Sequence, residues 1–163
     1  MGPPGSATRR ARTVLLTGAS RPASRRYDHD PGLLAPLRPA ARILTGSTYA
    51  LLGFDALREP GGRVSQAGPV LAAIRKRVPL PDDDELVVRG NAAVMVGAGS
   101  LLALGVFPRL SALALAGSLI PTTLAGHSYW AIEDPATRKV QRIQFHKNMA
   151  MLGGLLLAVL DER

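Results

Sequence analysis

Cysteine is absent from the 163 residues, and aromatic side chains are scarce: three Phe, three Tyr and one Trp, or 4% of the chain. Without thiols there is no disulfide framework, no thiolate metal site and no cysteine nucleophile. The shortage of aromatics argues against single-stranded nucleic-acid binding, which stacks bases on aromatic rings. Acid is also under-represented, with 12 Asp+Glu against 20 Lys+Arg and a formal net charge of +8. Such an excess first suggests a nucleic acid or an anionic membrane surface, and the placement of the charge decides between them. The length fits a single domain.

The charge is concentrated at the front. Residues 1–42 contain eight Arg and two Asp, hence +6 of the +8, together with six Pro. Sequence this polar and rich in Pro, Arg and Gly cannot bury enough apolar surface to order itself, so residues 1–40 are expected to form a disordered basic tail. Val14-Leu15-Leu16 is too short for a signal-peptide core. The string Leu15-Leu16-Thr17-Gly18-Ala19-Ser20 has the start of a nucleotide-binding turn, but the later glycines are missing and Pro22, Arg25 and Arg26 follow.

Behind the tail stand four apolar stretches, with spans expected at about 41–58, 86–107, 109–129 and 143–160. A helix needs roughly 20 apolar residues to cross a bilayer core, within a range of about 17–25. The first stretch is short unless a snorkelling Arg42 is counted in. The second and third are joined at Phe107-Pro108-Arg109, with Pro starting a helix. No charged residue occurs from Ala92 to Leu104 or from Leu110 to Gly126. A water-soluble bundle helix carries a polar stripe, and so small a chain cannot bury several helices that are apolar all round. The expected fold is therefore all-α, a polytopic membrane protein with a four-transmembrane-helix up-down bundle over residues 41–160.

Small residues recur four apart at Gly46/Ala50, Ala93/Gly97 and Ala112/Ala116, the spacing that lets helices approach closely in lipid. The long first loop contains apolar residues at 70, 71, 74 and 78 with Arg75-Lys76-Arg77 between them, resembling a short amphipathic segment at the interface. Asp82-Asp83-Asp84-Glu85 precede the second span, where carboxylates complement a helix dipole; capping explains them better than a metal, and no metal site is expected. Basic residues divide almost evenly between the two faces, and the dense tail tips the orientation towards cytoplasmic termini.

Polar residues enter the apolar stretches mainly at one end. Asp55 and Arg58 close the first, Arg89 and Asn91 open the second, His127 ends the third, and His146, Lys147 and Asn148 begin the fourth. In an up-down chain these four ends share one membrane face. Ionisable groups at membrane depth face the bundle interior or pair with one another, so Asp55 is expected to pair with Arg89 or Lys147, with His127 opposite His146. The functional reading is a polar pocket of Asp55, Arg89, Asn91, His127, His146, Lys147 and Asn148 for protons or a quinone head group. The structural alternative is an interfacial belt, with Arg58, Tyr129 and Trp130 as anchors. Both histidines lie near the rim rather than mid-span, which disfavours haem. No Ser/His/Asp spacing, phosphate loop or zinc pattern supports a hydrolase.

Arg42-Ile43-Leu44-Thr45-Gly46 and the run Gly53-Phe54-Asp55-Ala56-Leu57-Arg58-Glu59-Pro60-Gly61-Gly62 resemble the first helix and exit loop of the DoxX family. So do Gly105-Val106-Phe107-Pro108-Arg109-Leu110-Ser111-Ala112, His127-Ser128-Tyr129-Trp130, and the run from Gln144 to Leu156. The likeness covers about residues 40–160. It implies a four-helix protein of the bacterial inner membrane, in a group linked to quinone-dependent oxidation of sulfur compounds and to membrane oxidoreductase assemblies. Arg58 stands where the family often has Lys, and the basic tail and extended first loop are additions. The expected function is an accessory or quinone-interacting subunit of a membrane oxidoreductase system; whether the chain is itself an enzyme is left open. The alternative is a small-solute transporter or an assembly scaffold without redox chemistry. The expected partners are the lipid bilayer and other membrane proteins, with a homo-oligomer left open and no nucleic acid.

Overall fold

The structure, a computed structural model, describes Met1, Gly2 and residues 35–161. Most of the expected basic tail lies outside the described residues, but its last part does not. Helix α1 spans Leu37–Arg58, four residues ahead of the expected start, with Pro39 in the first turn where its missing N–H has no intrahelical partner to lose. Then come α2 (Gly62–Arg75), α3 (Asp84–Ala103), α4 (Pro108–Gly126), a single 3-10 turn (Tyr129–Ala131) and α5 (Pro135–Leu160). Every regular element among the described residues is helical.

Three of these helices, α3, α4 (continued through the 3-10 turn to Ala131) and α5, are long and apolar enough to cross a membrane. Helix α1 has 22 residues and matches them in length, but Arg38, Arg42, Asp55 and Arg58 leave it short of their apolarity. The apolar surface points outwards. Within the most apolar 18-residue window of α5 only 6% is buried inside the protein, and Leu113, Ile120, Leu156 and Leu157 all stand exposed. Patches of that size on a monomer mark contact with something other than water; here the exposed side chains ring the helices as lipid-facing surface.

The broadest helix contact joins α1 to α3. It is antiparallel and glycine-lined. A Cβ on Gly46 would lie 2.5 Å from the Ala103 backbone nitrogen, one on Gly53 would lie 2.7 Å from the Met95 Cβ, and one on Gly99 would lie 2.7 Å from the Ala50 nitrogen. The Gly46/Ala50 and Ala112/Ala116 spacings thus fall on packed faces. Ala93/Gly97 does not: both are exposed, and a Cβ on Gly97 would meet nothing within 4 Å. The packed side of α3 carries Ala92 and Gly99 instead.

Helices α3 and α4 are joined by a four-residue turn whose shape rests on positive φ at Gly105 (72°) and Phe107 (45°), with Pro108 opening α4 as expected. The Arg42 guanidinium lies over this turn, with its carbon 3.6 Å from where a Gly105 Cβ would be. The two central helices, α3 and α4, meet α1 and α5 in a core of Tyr49, Leu102, Ala112, Leu115, Ala116, Leu119 and Leu155.

The first loop differs from expectation. Its helix begins at Gly62 rather than near Gly68 and ends at Arg75, and it packs against α3 and α4. Leu71 is buried, Val70 and Ile74 half-buried, and Val78 lies beyond the helix and exposed. Gly61, at φ +47°, makes the reversal out of α1 that a side chain would resist. Arg75 then ties the helix exit down, bonding to the Pro81 carbonyl at 3.0 Å and to Asp84 at 2.7 Å. Asp83 caps α3 by accepting from the Leu86 N–H at 3.1 Å.

Candidate functional site

The polar residues at the loop end of the bundle separate into two groups, one turned inwards and one outwards. The inner group is a set of hydrogen bonds between helices. Asn91 on α3 donates to the Thr122 hydroxyl on α4 at 3.2 Å, and Asn148 on α5 donates to the Thr123 hydroxyl at 3.0 Å. Thr122 and Thr123 donate in turn to the carbonyls of Ser118 and Leu119, each at 2.7 Å. Pro121 explains why this segment of α4 is rich in side-chain bonding: its ring removes the N–H that would meet the Gly117 carbonyl, and local hydroxyls are the usual compensation in membrane helices. Thr123 is 1% exposed, so its hydroxyl would be unsatisfied without these partners.

His127 completes the inner group. It follows the last residue of α4, and its Nδ1 lies 2.6 Å from Gln141 Oε1 on α5. With an amide oxygen as the acceptor, Nδ1 carries the hydrogen, and the neutral ring presents Nε2 as a lone pair. His146 is tautomerised the same way by the Arg142 carbonyl at 2.8 Å. The two imidazoles do not face each other, however. His146 is exposed on the outside of α5, beside Phe145 and Tyr129 at ring-centre distances of 5.7 and 6.3 Å.

The outer group also departs from the expected pairing. Asp55 is exposed on α1 and makes no ion pair among the described residues. Arg89 binds Glu85 at 2.8 Å, one turn back on its own helix, and donates to the Leu57 carbonyl at the end of α1. It therefore closes the C-terminus of α1, where a cation opposes the helix dipole, and is not available to Asp55. Lys147 is exposed and makes no ion pair among the described residues. Arg58 lies over the Phe54 ring at 5.3 Å, and Tyr129, Trp130 and Phe145 pack edge to face at 5.2–5.7 Å. Asp134 caps α5, and the side chain and N–H of Thr137 hold its carboxyl below the ordinary 3.8. No cluster of three or more His, Cys, Asp or Glu able to hold a metal occurs among the described residues.

Thr122, Thr123 and Gln141 were not singled out by the sequence. The signal was there: Thr122-Thr123 is a polar interruption in an uncharged helix directly after a proline, and Gln141 lies seven residues before Asn148, on the same face of α5. A double-mutant cycle measures the clasp. Asn148→Leu and Thr123→Val together are expected to show a coupling of about 0.6–1.7 kcal/mol, the range for interhelical hydrogen bonds in membranes, in detergent-micelle unfolding. Strict additivity would mean that the bond contributes nothing.

The helices, their outward-facing apolar surface and their interhelical polar clasp define a multi-pass α-helical membrane protein. The sequence model of the DoxX family matches residues 38–128. That is more than half of the chain, and it belongs to the DoxX family. No curated protein matches the chain, and no solved structure does.

Proposed function

We propose that this DoxX-family protein is an accessory subunit of a membrane oxidoreductase system, with a quinone head group as the ligand of the inner polar group. Helix α1 acts as the fourth span in this reading: 22 residues reach about 33 Å, enough for a hydrocarbon core of about 30 Å. The eight Arg of residues 1–42 favour termini on the cytoplasmic side of a bacterial inner membrane.

The observation that carries the reading is the donor and acceptor set at one depth. Asn148 uses one amide N–H on Thr123 and retains a second, which suits a carbonyl oxygen of a quinone, whereas Asn91 already directs its amide at both the Thr122 hydroxyl and the Met95 sulfur and so braces the site from α3. His127 Nε2, left as a lone pair by the bond to Gln141, suits a hydroquinone hydroxyl. A quinone supplies the two-electron redox chemistry; this chain binds and orients its head group, and the redox partner belongs to another subunit.

A photoreactive quinone analogue tests this in proteoliposomes of the full chain. Label is expected on the segment from Leu119 to Asn148, reduced about tenfold by Asn148→Leu, the effect of one lost hydrogen bond to a ligand. Label that is absent, or that neither Asn148→Leu nor His127→Phe lowers below the wild-type level, removes the quinone and leaves a scaffold or transporter.

A further inference from the structure

We propose that the outward face of α5 is a binding site for one anionic phospholipid, with the phosphate held by Lys139, Arg142 and Lys147 and an acyl chain lying over Gly153 and Gly154. Residues 139, 142, 143, 146, 147, 150, 153, 154 and 157 follow one another at three- and four-residue steps and are all exposed, so a single unpartnered face runs the length of the helix. Its two halves differ in chemistry. The first bears the cations and His146; the second is entirely apolar.

The cations are uncompensated. Helix α5 contains no Asp or Glu, and none of Lys139, Arg142 and Lys147 meets a carboxylate among the described residues. Arg138 differs, because its guanidinium is used on the carbonyls of Ile132 and Glu133. Two depressions lie along the cationic half. A smaller one, about 230 Å³, is lined by Tyr129, Pro135, Arg138, Lys139 and Arg142. A larger one, about 550 Å³, is lined by Arg142, Ile143, His146, Lys147 and Ala150. Arg142 stands between them and borders both, where a phosphate can accept from its fork of N–H groups.

The apolar half has the right length and shape for one chain. Ten residues separate Lys147 from Leu157, or about 15 Å along the helix, which is half of a hydrocarbon core of about 30 Å and so one leaflet. Gly153 and Gly154 leave the helix flat there, and a Cβ on either would meet nothing within 4 Å. Charge complementarity selects the head group: uncompensated cations favour a net negative lipid over a zwitterionic one. This site is on the outside of α5 and does not depend on the quinone reading, which concerns the inner group.

Trp130 is the chain's single tryptophan, and its ring lies 5.7 Å from that of Phe145 on α5, so it reports on the site. The full chain is placed in phosphatidylcholine nanodiscs containing a small, fixed fraction of lipid brominated near the carbonyl end of its chains. Brominated phosphatidylglycerol is expected to quench Trp130 more strongly than brominated phosphatidylcholine, and unbrominated phosphatidylglycerol to relieve the quenching. Arg142→Gln and Lys147→Gln should each lower the anionic preference about fivefold, with Arg142→Lys retaining most of it. Equal quenching by the two lipids overturns the proposal. So does failure of unbrominated phosphatidylglycerol to compete with the wild-type chain, a result that needs no variant to fold. A preference that survives the double Gln variant with helix content unchanged also overturns it.

Discussion

Replacing Gly46 with valine is expected to destabilise the bundle by about 3 kcal/mol, the upper part of the range for overpacking. The added Cβ alone would stand 2.5 Å from the Ala103 nitrogen and closer still to the Gly99 carbonyl oxygen. Both obstacles are backbone, so no rotamer change relieves them; α1 and α3 must move apart. That separation also loosens Gly53 against Ala92 and Met95, because the same interface carries both contacts. Unfolding in mixed micelles, followed by far-UV dichroism, measures the change. Gly97→Val provides the contrast, since that position opens outwards and its substitution should shift stability by less than about 0.5 kcal/mol. Equal effects of the two valines would mean that α1 and α3 do not meet as described.

The second large effect is expected at Tyr49. Its side chain is 1% exposed, in the core cluster that also holds Leu102, Leu115 and Leu155. Truncation to alanine in a membrane protein loses little transfer free energy, because the surroundings of the separated helices are also apolar. The cavity remains. At about 24 cal/mol per Å³ and roughly 100 Å³ of lost side chain, Tyr49→Ala should cost about 2–3 kcal/mol. Tyr49→Phe should do the reverse on a smaller scale. The tyrosine hydroxyl is buried with no hydrogen-bond partner among the described residues, so removing it relieves a desolvated polar group and should stabilise by about 1 kcal/mol. The opposite signs are the test: a Tyr49→Phe variant as unstable as Tyr49→Ala would show that the hydroxyl is engaged.

Much of this architecture is legible in the residues, and the exceptions have physical reasons. The uncharged runs after Ala92 and Leu110 disclose two membrane helices, and Pro108 marks where the second begins. Gly46 and Ala50 disclose one packing face, because Gly53 and Ala56 continue the same line at three-residue steps and both are buried. On α3 the same reasoning chooses Ala93 and Gly97 over Ala92 and Gly99. Alanine and glycine occur on every side of that helix, so spacing cannot set its rotation. The polar end shows the same limit. Sequence places Asp55 and Arg89 at one depth, but Glu85, four residues before Arg89, is a nearer partner that spacing alone could have named. The inward Asn91, His127 and Asn148 and the outward Asp55, His146 and Lys147 share that depth and differ only in azimuth. Helix α2 is obscured by its own glycines and Pro69, which lower its propensity; its packing on α3 and α4 supplies the order that propensity does not.

The charged composition of α1 and its glycine-tight fit against α3 have a joint consequence for biogenesis. A helix bearing Arg42 and Asp55 partitions poorly into lipid by itself, whereas one already seated against α3 is sheltered along the face that holds Gly46, Tyr49 and Gly53. Its partner, however, is made later, after the α2 segment has left the ribosome. On the proposed four-span reading, α1 thus becomes a stable resident of the bilayer only when α3 arrives, so the two helices enter as a retrospective pair. Substitutions at Gly99 would accordingly reduce the yield of inserted protein, even though α3 itself is apolar enough to cross unaided.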